Sequence, residues 1–290
     1  MSSVSSGIKR PIISPLRYPG GKASLYQPLR DLIRVNNLTS GTYVEPYAGG
    51  AGAALALLIT GQVRKIVIND LDPAIFAFWQ AVVNEPNQFA RLIGKAELTL
   101  YEWARQKDVF LSAARDDYLR LGFATFYLNR TNRSGALNGG VIGGKKQTGN
   151  YTIDARFNKV TLMERVRLIS LYSRNISVTN DDGLAVIKRY APSENVFIYA
   201  DPPYFDKAGS LYLNSFEDTD HVALASCLNG LSDVKWLLTY DNVNKVQELY
   251  ADRRRKLFSL HYSAHRVTKA EEVMVFSDAM MADPASVTLF

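Results

Sequence analysis

The sequence predicts an α/β fold, a mostly parallel sheet covered by helices and interrupted by one long insertion. Short apolar strand patterns alternate with helical patterns in both the first and the last part of the chain, which is typical of parallel sheets. Between them, residues 85–159 are richer in charged and aromatic side chains. A chain of 290 residues that is 47% hydrophobic is long enough for one large domain with such an insertion.

The first part of the chain has the pattern of a nucleotide-binding sheet. A strand at 42–44 enters the turn Glu45-Pro46-Tyr47-Ala48-Gly49-Gly50-Ala51-Gly52, and a buried helix follows over 53–60. A second strand at 65–69 leads through an acidic turn into an amphipathic helix at 74–83. Strand, glycine turn, helix and second strand make up the front half of such a sheet.

The middle segment predicts an inserted, mainly helical unit. Helical patterns cover 87–96 and 116–129, and a loop rich in Gly, Asn, Ser and Lys runs from 132 to 150. A loop of this length inside a compact domain is usually functional. We therefore divide the chain into a discontinuous sheet domain, residues 1–84 and 160–290, and an insert, residues 85–159.

The last part of the chain returns to the alternating pattern. The helices are predicted at 160–173, 221–231 and 244–251, and the strands at 176–179, 196–200, 235–240, 256–262 and 273–277. We expect these strands to complete the sheet.

Composition limits the possible functions. The chain has 34 Lys and Arg against 28 Asp and Glu, a formal net charge of +6 that favours a polyanionic partner. Its single cysteine, Cys227, excludes an internal disulfide and fits a reducing cytosol. The N-terminus has no apolar signal segment, and the longest apolar run, residues 51–59, is too short to span a bilayer. The histidines His221, His261 and His265 complete no metal set. We expect a cytoplasmic protein without a metal site.

The turn Asp201-Pro202-Pro203-Tyr204 follows the strand at 196–200 and has the chemistry of a clamp for a planar amine. Two prolines lack N–H donors and fix φ, so the chain leaves the sheet stiffly at the carboxyl end of a strand, where α/β proteins bind ligands. The Asp201 carboxylate and the Pro202 carbonyl can accept two N–H bonds while Tyr204 stacks on the ring. A surface turn that ends an edge strand is the alternative interpretation.

The glycine turn indicates a cofactor but does not specify it. Gly50 and Gly52 fit a dinucleotide fingerprint, but Leu55 occupies its third glycine position, and a nicotinamide enzyme stays open at this point. Asp70 ends the next strand, where it can hold a ribose diol or cap the following helix. In Arg17-Tyr18-Pro19-Gly20-Gly21-Lys22, the lysine can neutralise a carboxylate, or it can be a solvated residue at a helix start.

In this order, Tyr18–Lys22, Glu45–Gly52, the insert and Asp201–Tyr204 resemble the Dam-like family of DNA adenine-N6 methyltransferases. The resemblance extends from about residue 14 to residue 276, and its further matches are Phe126–Arg130, Tyr151–Asn158, Leu213–Phe216 and Lys269–Val273. It implies a Rossmann-like methyltransferase sheet, with the insert as the target-recognition domain.

The resemblance also implies a cofactor and a reaction. The cofactor is S-adenosyl-L-methionine, converted to S-adenosyl-L-homocysteine, and its expected contacts are Tyr18, Gly21, Lys22, Glu45, Pro46, Tyr47, Gly49, Gly50, Gly52, Asp70, Asp181 or Asp182, and Asp201. The expected substrate is the N6 amine of an adenine flipped out of double-stranded DNA, and the catalytic residues are Asp201, Pro202, Pro203 and Tyr204.

The insert is expected to contact DNA through Arg130, Asn132, Arg133, Asn138, Lys145, Lys146, Arg156 and Lys159. Members that methylate GATC carry an Asn-Gly-Leu-x-Arg-like stretch where this chain has residues 133–140, so the resemblance provides no recognition sequence.

The expected partners are DNA and a restriction or defence protein, and we expect a monomer or weak dimer encoded by a bacterium, phage or plasmid. Two alternatives remain: a methyltransferase acting on RNA or protein amides, and a catalytically silent protein that binds DNA or S-adenosylmethionine.

Overall fold

The computed structural model describes residues 13–17, 22–205, 216–262 and 268–282. Three predicted cofactor contacts, Tyr18, Gly21 and the side chain of Lys22, lie outside the described part of the chain, as do residues 213–215 of the family resemblance. Their roles stay predictions.

Within the described residues the sheet has seven strands: β1 Thr42–Glu45, β2 Lys65–Asn69, β3 Ile176–Thr179, β4 Val196–Ala200, β5 Lys235–Asp241, β6 Arg254–Tyr262 and β7 Thr268–Phe276. Their order across the sheet is β3-β2-β1-β4-β5-β7-β6. The first five strands in this order are parallel, and β7 runs antiparallel to both of its neighbours. The predicted α/β class, with a Rossmann-like and mostly parallel sheet, is confirmed.

The helices are α1 Tyr26–Val35, α2 Gly52–Ile59, α3 Pro73–Asn84, α4 Pro86–Lys95, α5 Leu100–Ser112, α6 Tyr118–Thr131, α7 Lys159–Ser170, α8 Gly183–Tyr190, α9 Asp218–Asn229 and α10 Asn244–Leu249. The sequence patterns above do not predict α1, α5 or α8. None of the described helices is long and apolar enough to cross a membrane.

The insert shares its apolar core with the sheet domain. Helix α6 packs on α3, and α4 packs on α7. Aromatic rings join the two parts: Phe78 of α3 contacts Phe89 of α4 and Phe126 of α6, and Phe126 contacts Phe157. Burial of each such ring stabilises the fold by roughly 1.5–3 kcal/mol. The insert is therefore held firmly against the sheet domain, while the division at residues 84/85 and 159/160 stays a prediction.

The strand order places a topological switch point between β1 and β4. From β1 the chain adds β2 and β3 on one side, whereas β4 and β5 lie on the other. Ligands of open α/β sheets bind in the crevice outside the carboxyl ends of the strands at such a point. Glu45 ends β1 and Asp201 follows β4, so two carboxylates flank this crevice.

Candidate active site

Asn69, at the end of β2, holds three loops of the crevice together. Its Nδ2 donates to the carbonyl oxygens of Pro46 at 2.7 Å and Asp181 at 3.0 Å. Its Oδ1 accepts from the Thr179 hydroxyl at 2.7 Å and from the Asp181 N–H at 2.9 Å. Asn69 is completely buried, and these four bonds use the full capacity of its amide. The loops after β1, β2 and β3 are thereby fixed relative to one another.

Asp70 ties the glycine turn to the loop after β2. Its carboxylate accepts from the N–H groups of Gly49 at 2.9 Å and Asp72 at 3.0 Å. The cap of α3 is Asp72, whose side chain accepts from the Ala74 N–H at 2.8 Å, so a capping role for Asp70 is excluded. Burial raises the pKa of Asp70 to about 7, although the two backbone bonds act in the opposite direction.

The glycine turn is an irregular loop that begins α2. Gly49 has φ of +48°, and its carbonyl oxygen accepts from Trp79 Nε1 at 2.9 Å. Ala51 also has a left-handed φ, of +45°. Gly50 is buried and Gly52, the first residue of α2, is half-buried.

Glu45 is a buried carboxyl group at the edge of the crevice. It is 5% exposed, and the Tyr43 hydroxyl donates to its Oε1 at 3.0 Å. Burial raises the pKa of Glu45 to about 8, and the negative charge of Asp201 acts in the same direction. Hydrogen bonds from Tyr43 and from the Ala54 backbone lower the pKa and offset only part of this increase.

The raised pKa of Glu45 predicts how stability depends on pH. The folded protein keeps a proton on Glu45 up to about pH 8, whereas the unfolded chain loses it near the ordinary value of 4.5. The free energy of unfolding therefore falls as pH rises between these values, by up to about 1.4 kcal/mol per pH unit from this group. We expect Glu45→Gln to remove this contribution in urea denaturation measured from about pH 5 to about pH 8, so that the slope decreases and the part due to Asp70, whose pKa is also raised, remains. Glu164→Gln, an exposed change on α7, is the matched control, and an equal slope in both variants would contradict the prediction.

Asp201 is held by a line of two hydroxyl groups, one from the neighbouring strand β5 and one from its own strand β4. The Thr239 hydroxyl, in the middle of β5, donates to Asp201 Oδ1 at 2.8 Å. The same hydroxyl lies 2.8 Å from that of Tyr199, and Thr239 is completely buried. Since Thr239 donates to Asp201, Tyr199 donates to Thr239. This line fixes the orientation of the carboxylate.

Tyr204 lies beneath the Asp201 carboxylate. Its hydroxyl donates to Asp201 Oδ1 at 3.3 Å, its ring packs on Tyr240 with centroids 6.0 Å apart, and it is only 8% exposed. Burial and the charges of Asp201 and Glu272 raise the pKa of Tyr204 well above its usual range. Pro202 is also buried. The expected stacking of Tyr204 on a base stays a prediction.

Asp181 and Asp182, which follow β3, make different contacts. Asp182 caps α8 by accepting from the Ala185 N–H at 3.1 Å, and Asp181 forms an ion pair with Arg189 at 2.7 Å. The Asp181 backbone is the part bound to Asn69. Tyr47 packs against Gly183 so closely that a Cβ there would lie 2.3 Å from its ring. Tyr47 thus forms the wall between the first and third loops.

The predicted DNA contacts differ in exposure. Five are exposed and available for contact: Arg133, Asn138, Lys145, Lys146 and Arg156. Arg130 and Lys159 are half-buried, and Lys159 Nζ donates to the Gly94 carbonyl at 3.2 Å.

The prediction that Asn132 reads bases is wrong. Asn132 is fully buried: its Nδ2 donates to the carbonyl oxygens of Ala136 and Leu137, and its Oδ1 accepts from Trp103 Nε1 at 2.7 Å. Its amide braces the loop that carries the exposed cations.

The sequence analysis did not select Asn69, Thr239 or Tyr199. A signal for the first two exists, because a polar residue inside or at the end of an apolar strand, as in Ile66-Val67-Ile68-Asn69 and Leu237-Leu238-Thr239, must find a buried partner. Which partner it finds depends on contacts across the sheet. Among the described residues, no group of three or more His, Cys, Asp and Glu side chains could hold a metal ion.

A family comparison identifies the family of this chain. Residues 18–269 match the model of the D12 class N6 adenine-specific DNA methyltransferases. The chain belongs to this family. It is accordingly an S-adenosylmethionine-dependent enzyme that methylates adenine N6 in DNA, and the resemblance deduced from the motifs is confirmed.

Two curated relatives agree with this assignment. The chain is 23% identical over 231 residues to the Type II methyltransferase M.MjaIII of Methanocaldococcus jannaschii, covering 72% of this chain and 77% of that protein. It is 24% identical over 217 residues to the modification methylase StsI of Streptococcus sanguinis, covering 71% of this chain but only 30% of that protein.

Similarities to solved structures are distant. The rRNA methyltransferase aviRa from Streptomyces viridochromogenes aligns with 87% of this chain and 85% of its own, at 15% identity and a TM-score of 0.37. A Legionella pneumophila protein, LPL1258, covers 92% of this chain and 88% of its own, at 10% identity and a TM-score of 0.35. At these scores neither similarity supports a conclusion.

Proposed function

We propose that Asp201 and the Pro202 carbonyl bind the two N–H groups of an adenine N6 amine that has been flipped out of double-stranded DNA. The observation that carries the proposal is the fixed orientation of Asp201, held through Thr239 at 2.8 Å beside the crevice at the switch point. An exocyclic amine is a poor nucleophile because its lone pair is delocalised into the ring. Two acceptors shift electron density back onto nitrogen, and their bonds strengthen as positive charge develops there.

The donor set of the crevice fits S-adenosylmethionine. Glu45 and Asp70 are carboxyl groups with raised pKa values, and the ion pairs of the described residues include neither of them. A ligand carrying an ammonium and a sulfonium charge would compensate such buried carboxylates. We assign Glu45 and the glycine turn to the methionine part, Asp70 to the ribose, and Asp181 or Asp182 to the adenine of the cofactor.

When bound, S-adenosylmethionine supplies an electrophilic methyl group. The residues of this chain then have three tasks: Asp201 and Pro202 orient the amine for in-line attack, Tyr204 closes the site beneath the carboxylate, and the loops tied by Asn69 hold the cofactor opposite the base. Proton loss from nitrogen can follow the transfer, so no strong general base is required.

The exposed cations of the insert are proposed to hold DNA. Arg133, Asn138, Lys145 and Lys146 lie on the loop after α6, where they can contact phosphates and base edges. The names of the two relatives also favour a modification methyltransferase that acts beside a restriction enzyme. This pairing, like the monomeric or weakly dimeric state and the absence of a metal cofactor, belongs to the proposal.

Incubation of the protein with plasmid DNA and methyl-labelled S-adenosylmethionine tests the proposal. After digestion to nucleosides, we expect the label in N6-methyl-2′-deoxyadenosine. Label confined to cytosine would refute the amine assignment, and label that appears in single-stranded but not in duplex DNA would refute base flipping.

Thr239 is predicted to be a positioning residue for Asp201. Thr239→Val keeps the side-chain volume but removes the donor, so we expect kcat to fall by about ten- to a hundredfold with little change in cofactor affinity. Thr239→Ser keeps the hydroxyl and should restore most of kcat. Equal losses of kcat in both variants would indicate that the residue acts through packing alone.

A further inference from the structure

A polar ring lies on the buried face of helix α9. This face consists of His221, Leu224, Ala225 and Leu228, and His221 is only 2% exposed. A leucine would satisfy the packing of such an apolar stripe, whereas a buried imidazole must also find a hydrogen-bond partner. The contacts of His221 therefore show what an imidazole does here that an aliphatic side chain would not.

The imidazole is bonded to β5, the strand that also holds the Asp201 carboxylate. Its Nδ1 and the hydroxyl of Tyr240 form a hydrogen bond, and the two ring centroids are 5.6 Å apart. Tyr240 is completely buried, and its ring packs on that of Tyr204. His221 is thus connected, through one residue of β5, to the tyrosine of the turn at 201–204.

Phe205, which directly follows the turn at 201–204, stacks on the His221 ring. The two centroids are 3.5 Å apart, with an angle of 17° between the ring planes. The Phe205 N–H also donates to Asp241 Oδ1 at 3.3 Å, and its ring centroid lies 5.9 Å from that of Tyr240. The chain that leaves the turn is therefore held both by α9 and by the end of β5.

The imidazole also contacts the wall of the crevice. The ring of Phe216 meets that of His221 at a centroid distance of 5.3 Å and an angle of 61°. Phe216 in turn meets Tyr47 at 5.6 Å and 80°. Tyr47 belongs to the glycine turn and packs on Gly183, the first residue of α8. Ring contacts thus run from the glycine turn, through His221, to the turn at 201–204.

We propose that His221 is a positioning residue for methyl transfer, which fixes the turn at 201–204 relative to the glycine turn. The two turns follow different strands, β4 and β1, and in the proposed function they hold the target base and the cofactor respectively. In-line transfer is sensitive to the placement of the reactants, and an error of about 1 Å can lower the rate by roughly a hundredfold. The inference rests on the proposed function in assigning one reactant to each turn.

Tyr240→Phe tests the bond between β5 and α9, because it removes the hydroxyl but keeps the ring. We expect the single-turnover rate of methyl transfer to plasmid DNA, at saturating cofactor and DNA, to fall by about three- to tenfold. Tyr250→Phe is the matched control: Tyr250 is buried in the same apolar cluster, and its hydroxyl has no hydrogen-bond partner among the described residues. This control should keep the wild-type rate, and equal rates in the two variants would overturn the proposal.

His221→Leu removes the bond and the stacked ring together, and leaves an aliphatic side chain on the buried face of α9. We expect the single-turnover rate to fall by about ten- to a hundredfold, while the Kd values for cofactor and for a fluorescent duplex stay within about twofold of wild type. Leu228→Ala controls for loosened packing of α9: it should lower the midpoint of urea denaturation but keep the rate. An equal fall of rate in both variants would overturn the proposal.

The double variant His221→Leu/Tyr240→Phe shows whether the two residues act as one unit. It should transfer no more slowly than His221→Leu alone, because both changes remove the same hydrogen bond. Rate losses that multiply would mean that the two side chains act independently, and they would overturn the proposal.

Nuclear magnetic resonance of the imidazole tests the connection without methyl transfer. The His221 signals are identified by their loss in His221→Leu. Addition of S-adenosylmethionine should shift these signals in the wild-type protein but leave them nearly unshifted in Phe216→Leu, which removes the ring between Tyr47 and His221. Cofactor binding that calorimetry detects, without a shift of the wild-type imidazole signals, would overturn the proposal.

The two proposals fail separately in these measurements. If the wild-type protein methylates adenine and Tyr240→Phe keeps the full rate, only the positioning role of His221 fails. If the cofactor shifts the imidazole signals but the wild-type protein transfers no methyl group to adenine, only the proposed function fails.

Discussion

Replacing Asp201 by alanine is expected to lower the rate of methyl transfer by about a thousandfold, the largest effect of any single substitution in the site. The hydrogen bond from the amine to the carboxylate strengthens as positive charge develops on nitrogen, so its loss affects the transition state more than the bound ground state. Thr239 and Tyr204 hold the Asp201 carboxylate in the wild-type protein. Both residues remain in the variant, so the turn at 201–204 should keep its conformation. Cofactor affinity should therefore change little.

Single-turnover transfer from labelled S-adenosylmethionine to DNA measures the rate, and calorimetric titration measures cofactor affinity. Asp233→Ala is the matched control: it removes an exposed aspartate just before β5, at the opposite edge of the sheet, and should keep the full rate. Turnover by Asp201→Ala above about a tenth of the wild-type rate would refute the role assigned to this carboxylate.

Replacing Asn69 by leucine is expected to destabilise the fold by about 3 kcal/mol and to weaken cofactor binding by at least about tenfold. The change leaves the Pro46 and Asp181 carbonyl oxygens and the Asp181 N–H without their partner in a buried position. Since these groups belong to loops assigned to the cofactor, both stability and affinity should fall together.

Asn36 offers a matched control for the effect of losing a buried amide. It is 4% exposed, and its side chain bonds to the Leu32 carbonyl and to the backbone of Met281. Asn36 lies between α1 and the amino end of β1, whereas the crevice lies at the carboxyl ends of the strands. Asn36→Leu should lower the free energy of unfolding in urea by a similar amount, with unchanged cofactor affinity in the folded protein. Equal cofactor affinities in the two variants would contradict the role of Asn69.

Much of the sheet could be predicted because its strands have regular apolar patterns. The strands at 65–69, 176–179 and 196–200 have the predicted bounds. Helix α5 was missed because its buried face includes polar residues, Glu102 and Gln106, which bond to each other at 2.7 Å. Helix α8 has eight residues and lacks the continuous apolar run by which α2, of the same length, could be predicted.

The residues of the site could be predicted only where they are consecutive in the sequence. The turn at 201–204 and the glycine turn at 45–52 are local motifs, and their positions at strand ends follow from the fold. The bonds that orient them are not local: Asn69 meets residues 23 and 112 positions away, and Asn129 meets Arg17 112 positions away. Asn132 shows the same limit, since an amide in a polar loop can face DNA or the protein, and tertiary contacts decide which.

Modification-sensitive sequencing of host DNA, with the wild-type gene, with the Asp201→Ala gene and without either, tests the central claim most directly. We expect N6-methyladenine at a fixed sequence in the presence of the wild-type gene alone. Methylcytosine in place of methyladenine, or the same adenine methylation with the Asp201→Ala gene, would contradict the assignment of this crevice as an adenine-N6 methyltransferase site.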